Sequence, residues 1–228
     1  MSRLYDIVTT YIGTGLRLGH GGWVTTLGPR PAAPPTLYEF EACPFCRKVR
    51  EAATVLDLEL LVKPCPKGGT RFRTEAIALG GKVQFPLLVD GDRPIYESGD
   101  IVKHLYQSYG AGSPSWFLAA PFFMPLSAAS STVRAGYGRD ARPSRAPAEP
   151  LELWSYELSP YCRLVRERLC ELELPYRLHN IARGSNKRPA FIEATGKRQF
   201  PYLRDPNSGT ALFESASICE YLERSYAL

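Results

Sequence analysis

Leu37-Tyr38-Glu39-Phe40-Glu41-Ala42-Cys43-Pro44-Phe45-Cys46-Arg47-Lys48-Val49-Arg50-Glu51 returns later in the chain as Leu153-Trp154-Ser155-Tyr156-Glu157-Leu158-Ser159-Pro160-Tyr161-Cys162-Arg163-Leu164-Val165-Arg166-Glu167. Eight of the fifteen aligned positions are identical, where ordinary composition yields about one by chance. The offset is 116 between Cys43 and Ser159, 115 between Pro86 and Pro201, and 117 between Glu97 and Glu214. A near-constant period of this length marks a duplicated domain rather than a solenoid unit.

Each copy reads in the same order. A strand (36–40; 151–156) precedes a helix opened by proline, then a second strand (58–63; 175–179) and a second helix (71–79; 187–195) follow. Phe85-Pro86-Leu87-Leu88-Val89 and Phe200-Pro201-Tyr202-Leu203 start a hairpin that turns at Asp90-Gly91-Asp92 or at Asp205-Pro206-Asn207-Ser208-Gly209. An amphipathic helix carrying Ile101, Val102, Leu105 and Tyr106, or Ile218, Cys219, Tyr221 and Leu222, closes each copy. The order βαβαββα predicts an α/β fold of two tandem domains, each a four-stranded mixed sheet flanked by helices. The domains fall at 36–110 and 151–228. Residues 1–35 stand outside the repeat as an extension, with Leu4, Ile7, Val8, Tyr11 and Ile12 at the spacing of a short docking helix. Residues 111–150 read as a linker, mobile around Arg139–Pro147 and packed on a module around Trp116–Leu126.

The chain has 228 residues, 44% hydrophobic and 22% charged, which suits two buried cores better than one large domain. Its net charge of +5 comes without Lys/Arg runs, so small anions are expected partners and nucleic acid is not. Six cysteines are too sparse for a disulfide scaffold, and no secretory apolar segment opens the chain, which predicts a reducing compartment. The most apolar stretch, 116–129, carries Pro121 and Pro125 and falls short of the roughly 20 residues a membrane span needs.

In Cys43-Pro44-Phe45-Cys46 the proline takes the first helical turn, which sets Cys43 at the N-cap. Exposed amides and the positive helix end stabilise a thiolate there. Cys43 is the predicted nucleophile, and Cys46, one turn inward, resolves a mixed disulfide on it. A structural zinc site would need a second ligand pair at similar spacing, and neither the other cysteines nor His20, His104 and His179 supply one, so no metal site is expected. An iron–sulfur cluster held by Cys43 of two chains with glutathione stays an alternative. Recurrence of Phe85-Pro86 as Phe200-Pro201 predicts cis bonds at both. Glu97-Ser98 and Glu214-Ser215 open the last helix of each copy, as caps or as a carboxylate site. Cys65 is either a third redox thiol or an unreactive loop cysteine, and Cys170 and Cys219 read as buried and inert.

The CPFC motif, the Phe-Pro turn and the Glu-Ser pair, in this order, resemble glutaredoxins and the N-terminal domain of glutathione transferases, both thioredoxin-like. The resemblance covers about 37–109 and 151–227. It implies that Phe45, Lys48, Phe85, Pro86, Glu97 and Ser98 contact glutathione, with Lys48, Lys67 or Arg71 toward its glycine carboxylate. In the second copy Ser159 replaces the nucleophile, and Cys162, Phe200, Pro201, Glu214 and Ser215 complete a matching site, either a glutathione-binding copy or a degenerate one retained for packing. The tandem arrangement, with the strings Leu37-Tyr38-Glu39-Phe40 and Ala182-Arg183-Gly184-Ser185, is also similar to chloroplast thioredoxin-fold proteins of plants and algae, which implies a chloroplast location, with cytoplasm the alternative. The all-helical domain that supplies the electrophile pocket of transferases has no counterpart in this reading. The resemblance therefore implies a glutathione-dependent thiol–disulfide oxidoreductase acting on glutathionylated or disulfide proteins. A non-enzymatic glutathione- or cluster-binding scaffold and a transferase-like activity are the alternatives.

Overall fold

The computed structural model describes residues 3–25, 27–110, 112–134 and 136–228. The first half runs α1 (Arg3–Gly15), β1 (Thr36–Glu39), α2 (Pro44–Val55), β2 (Glu59–Pro64), α3 (Arg73–Gly80), β3 (Leu87–Asp90), β4 (Arg93–Ile95), α4 (Ser98–Tyr109) and α5 (Trp116–Ala119). The second runs α6 (Phe123–Thr132), β5 (Leu151–Ser155), α7 (Pro160–Glu171), β6 (Tyr176–Asn180), α8 (Arg188–Thr195), β7 (Tyr202–Asp205), β8 (Thr210–Phe213) and α9 (Ser215–Tyr226). Both copies thus form the expected thioredoxin-type βαβαββα unit. In each, the first two strands are parallel and the closing hairpin is antiparallel.

The two four-stranded sheets join into one, in the order β4-β3-β1-β2-β6-β5-β7-β8. The seam is the antiparallel pair β2 and β6, with Leu61 opposite Arg177 and Leu60 opposite Leu178. Leu61 and Arg177 are 116 residues apart and so occupy the same place in their copies, which puts a local two-fold axis between them. Leu60 and Leu178 are 0% and 2% exposed and belong to one apolar core that runs through both modules. Full burial of such a leucine is worth about 1.5–3 kcal/mol.

The segments read as lying outside the repeat obey the same two-fold relation. Gly21 and Gly138 each offer a carbonyl, at 3.2 Å, to the amide of Leu158 or Ala42 of the other copy. Their φ values of 77° and 62° lie where glycine is favoured. Arg183 and Lys67, at equivalent places, exchange backbone hydrogen bonds with Gly22 and Val24, and with Arg139 and Ala141. The stretch expected to be mobile is therefore bonded strand-like to module one, and Arg142 N–H and Arg145 N–H donate further to Glu171 and Tyr226 carbonyls at 2.7 Å. Composition carries no trace of such backbone bonds. As expected, the apolar half of this segment packs, with Phe117, Leu118 and Phe123 entering the core.

Each leading helix crosses to the other module: α1 packs on α7, and α6 on α2. The docking face of α1 is not its apolar stripe. Thr10, Gly13 and the following Arg17 are buried, whereas Leu4, Val8, Tyr11 and Ile12 face outward. Close approach decides this, because a Cβ on Gly13 would sit 2.6 Å from Arg163 Nη1.

Between the modules lies a buried charge cluster. Arg50 bridges Glu41 at 3.0 Å and Glu157 at 3.0 Å and also pairs with Glu39. Arg166 pairs with Glu41 at 3.1 Å and Glu157 at 3.0 Å. Burial opposes ionisation of Glu157, but Arg166, Arg50 and Arg47 outweigh it and hold the carboxyl down to about 2. Unpaired, any one of these ions would cost several kcal/mol.

Candidate active site

Tyr38 and Leu37 bury β1 under the sheet's helices, and its end delivers the chain to Cys43 at the mouth of α2. Cys43 is the N-cap, with φ −74° and ψ 120°, and Cys46 N–H donates to its Sγ at 3.2 Å. Pro44 opens the helix without wasting a donor. The Cys46 thiol and the amides of Cys46 and Phe45 stabilise the Cys43 thiolate against burial, so its pKa falls below the ordinary thiol value. Burial pushes Cys46 and Cys170 well up, raises Cys65, and lifts Cys219 to about 12. Cys65, fully buried beneath Tyr38 and Leu87, is the unreactive cysteine of the two readings given above.

Module two repeats the geometry with oxygen in place of sulfur. Ser159 is the N-cap of α7 with φ −74° and ψ 121°, and Cys162 N–H donates to Ser159 Oγ at 3.2 Å. Phe85-Pro86 and Phe200-Pro201 are both cis. Glu97 and Glu214 precede α4 and α9 at φ 62° and 68°, a strained region for residues other than glycine. Neither carboxylate caps its helix. Gln84 Nε2 holds Glu97 at 2.5 Å, and Gln199 holds Glu214 in the same way. Ser98 and Ser215 are then the first helical residues, and their amides stand at the positive helix ends.

Tyr161, Phe200, Pro201, Glu214 and Ser215 line one cleft of about 510 Å³ in module two. Arg183, Arg188 and Arg198 line it too, as does Ile7 of α1. None of these arginines has a site role assigned from sequence, although setting Ala182-Arg183-Gly184-Ser185 against Pro66-Lys67-Gly68-Gly69 shows a basic residue at the same place in both copies. Arg188 is internal, donating to the Ile181 and Ala182 carbonyls and lying over Phe200, just as Arg73 serves Cys65, Pro66 and Phe85 in module one.

Of the basic residues expected at a glycine carboxylate, Arg71 spends its guanidinium on the Leu172 and Glu173 carbonyls and on Ser144 across the module seam. Lys48 lies over the ring of Phe123 on α6, and burial lowers its pKa. Lys67 bonds through its backbone to Arg139 and Ala141. Phe45 is half exposed at the mouth of α2. Among the described residues no helix is long and apolar enough to cross a membrane.

A helix N-cap carrying sulfur or oxygen, a cis proline opening the hairpin and a strained acidic residue before the last helix recur in both thioredoxin-type modules. The family model for the glutathione S-transferase N-terminal domain matches residues 37–114 and again 153–228, and the chain belongs to that family. It is 32% identical over 81 residues to a glutathione S-transferase-like protein, OpS6, of Beauveria bassiana (strain ARSEF 2860), a match covering 36% of this chain and 37% of that one. Among solved structures it is similar to the Bombyx mori glutathione transferase BmGSTD1, at 28% identity and a TM-score of 0.33 over 36% of this chain and 38% of that one. A delta-class glutathione transferase of Nilaparvata lugens gives 31% identity and a TM-score of 0.32 over 34% and 37%. The chain thus spans under two fifths of the length of these relatives.

Proposed function

We propose that the protein is a glutathione-dependent thiol–disulfide oxidoreductase whose reactive dithiol is Cys43 and Cys46. The observation that carries this reading is the contrast among the thiols, since Cys43 is stabilised as a thiolate at a helix N-cap while Cys46, Cys65, Cys170 and Cys219 are held protonated. The Cys43 thiolate attacks one sulfur of a disulfide and the other sulfur leaves as thiolate. The resulting mixed disulfide is cleaved either by a glutathione thiolate or by Cys46, which forms the Cys43–Cys46 disulfide and surrenders its proton to the departing thiolate. Two glutathione molecules then return that disulfide to the dithiol, leaving as glutathione disulfide. Mass mapping of iodoacetamide adducts near neutral pH tests the reading: Cys43 alkylates first, and faster labelling of Cys65 or Cys162 would refute it.

A second reading is favoured by Ser159 and the module-two cleft. The serine hydroxyl, buried at the N-cap of α7 and already accepting from Cys162 N–H, has a proton to offer a glutathione thiolate but cannot exchange with it. Module two would then support transferase-like addition of glutathione to an electrophile, or bind glutathione without turnover. Isothermal titration of glutathione into Cys43→Ser protein separates the cases, because binding lost on Arg198→Ala places a ligand in the module-two cleft. We assign the protein to a reducing compartment, the chloroplast by resemblance. The visible spectrum of anaerobically purified protein tests the alternative of a bridging iron–sulfur cluster.

A further inference from the structure

Arg17 and Arg134 stand 117 residues apart, each just after a leading helix and each buried, at 3% and 2% exposure. Each also grips the equivalent glutamate: Arg17 Nε donates to Glu51 at 2.6 Å, and Arg134 Nη2 donates to Glu167 at 2.6 Å. There the likeness ends. Arg134 Nη1 goes on to Asp6 Oδ1 at 3.0 Å and Thr9 Oγ1 at 2.7 Å. The residue 117 places after Asp6 is Phe123, and the Arg17 guanidinium lies over its ring, 4.4 Å from the centroid. Among the described residues, Arg17 Nη1, Arg17 Nη2 and Arg47 Nη2 have no hydrogen-bond partner.

Arg17 and Arg47 line a partly open space of about 10 Å³ together with His20, Arg163, Glu51 and Glu157. That volume is about the least that holds one water-sized occupant. Both carboxylates are already engaged, Glu51 by Arg17 and His20 and Glu157 by Arg47, Arg50 and Arg166. Burial, and after it the neighbouring Arg163 cation, hold Arg47 down to about 10 against the opposing pull of Glu157 and Glu41.

We propose that this cavity binds one monatomic anion, a halide such as chloride, which supplies to Arg17 and Arg47 the negative charge that Asp6 supplies to Arg134. A water molecule would also accept from the free donors but brings no charge, so the two occupants differ in their response to salt identity. Thermal unfolding at constant ionic strength, with chloride exchanged for gluconate, reads the difference, since gluconate is far too large for the space. The expected result is a saturable rise in Tm with chloride, following the mass-action law for a ligand bound by the folded state alone. The rise should disappear in Arg17→Met. Equal Tm in the two salts, or an undiminished chloride effect in Arg17→Met, overturns the proposal. Crystals grown in bromide give an independent reading that needs no variant: an anomalous peak within about 3.5 Å of Arg17 Nη, the reach of a hydrogen bond, supports it, and a map without one refutes it.

Discussion

The two modules share backbone angles at the N-cap to within a degree, cis prolines and strained glutamates, yet they differ where chemistry is decided. Module one has Cys43 and, beneath it, Glu39; module two has Ser159 and Ser155 at the same places. Module one presents Val83 where module two presents Arg198 to its cleft. A shared scaffold with exchanged side chains implies that the positions were laid out once and then assigned different work, covalent exchange in one half and ligand holding in the other.

The largest expected effect tests that division directly. Cys43→Ser should reduce hydroxyethyl-disulfide turnover to background, whereas Cys162→Ser stays within about twofold of wild type, since Cys162 has no cysteine at its own N-cap. Cys46→Ser should spare exchange resolved by glutathione and abolish reduction of protein disulfides. Activity that survives in Cys43→Ser and vanishes on adding Cys162→Ser would move the reactive thiol to module two.

Next in size is the charge cluster at the seam. Arg50→Met takes a partner from three buried carboxylates, Glu39 losing the one it pairs with, and should cost about 3–5 kcal/mol, while Arg166→Met takes a partner from two that keep Arg50 and should cost less. Urea unfolding of both variants checks the order, and equal losses would show the cluster to be symmetric in energy as well as in place.

Ser159→Cys asks how much of the difference is one atom. The N-cap geometry predicts that iodoacetamide labels the introduced thiol at a rate within about tenfold of Cys43, because the same helix end and inner amide act on both. Labelling as slow as that of Cys170 would mean that module two withholds stabilisation from a thiolate.

The smallest effect concerns Glu39. Burial, opposed by Arg50, raises its pKa from about 4.5 to about 7, so the folded protein keeps a proton that the unfolded chain has released across that interval. The stability this proton contributes is complete below about 4.5, declines as pH rises toward 7 and is lost above it. The unfolding free energy of wild type relative to Glu39→Gln should therefore drop with rising pH in this window, by at most about 3 kcal/mol. Parallel stability profiles of the two proteins between about pH 4.5 and 7.5, an interval that brackets both values, would break the assignment.

Much of this comparison was legible beforehand because apolar alternation, the N-cap motif, the Phe-Pro turn and the Glu-Ser pair are local signals. Strand and helix bounds moved by one or two residues, as at β2 and α3. What escaped notice was nonlocal. Arg47, Arg50 and Glu51 stood in the repeated motif as helix residues, and nothing local announces that they meet partners across a seam. The kinship of the leading segments was hidden because few of their side chains are held by contact: Arg17 and Arg134 persist, but Gly13 faces Ser130 and Asp6 corresponds to Phe123. The apolar stripe of α1 misled for a related reason, since a close helix crossing is governed by small residues rather than greasy ones.

The register at β2 and β6 has one more consequence. A pairing centred on two equivalent residues is what two separate, identical chains would make about a dyad, and each leading helix lies on the opposite unit as an exchanged arm does in a swapped assembly. The chain is in effect a homodimer with its subunits fused, the fusion releasing the halves from the requirement to be alike. Cleavage between residues 112 and 119 should accordingly leave two fragments that stay associated and that, mixed after denaturation, find each other again.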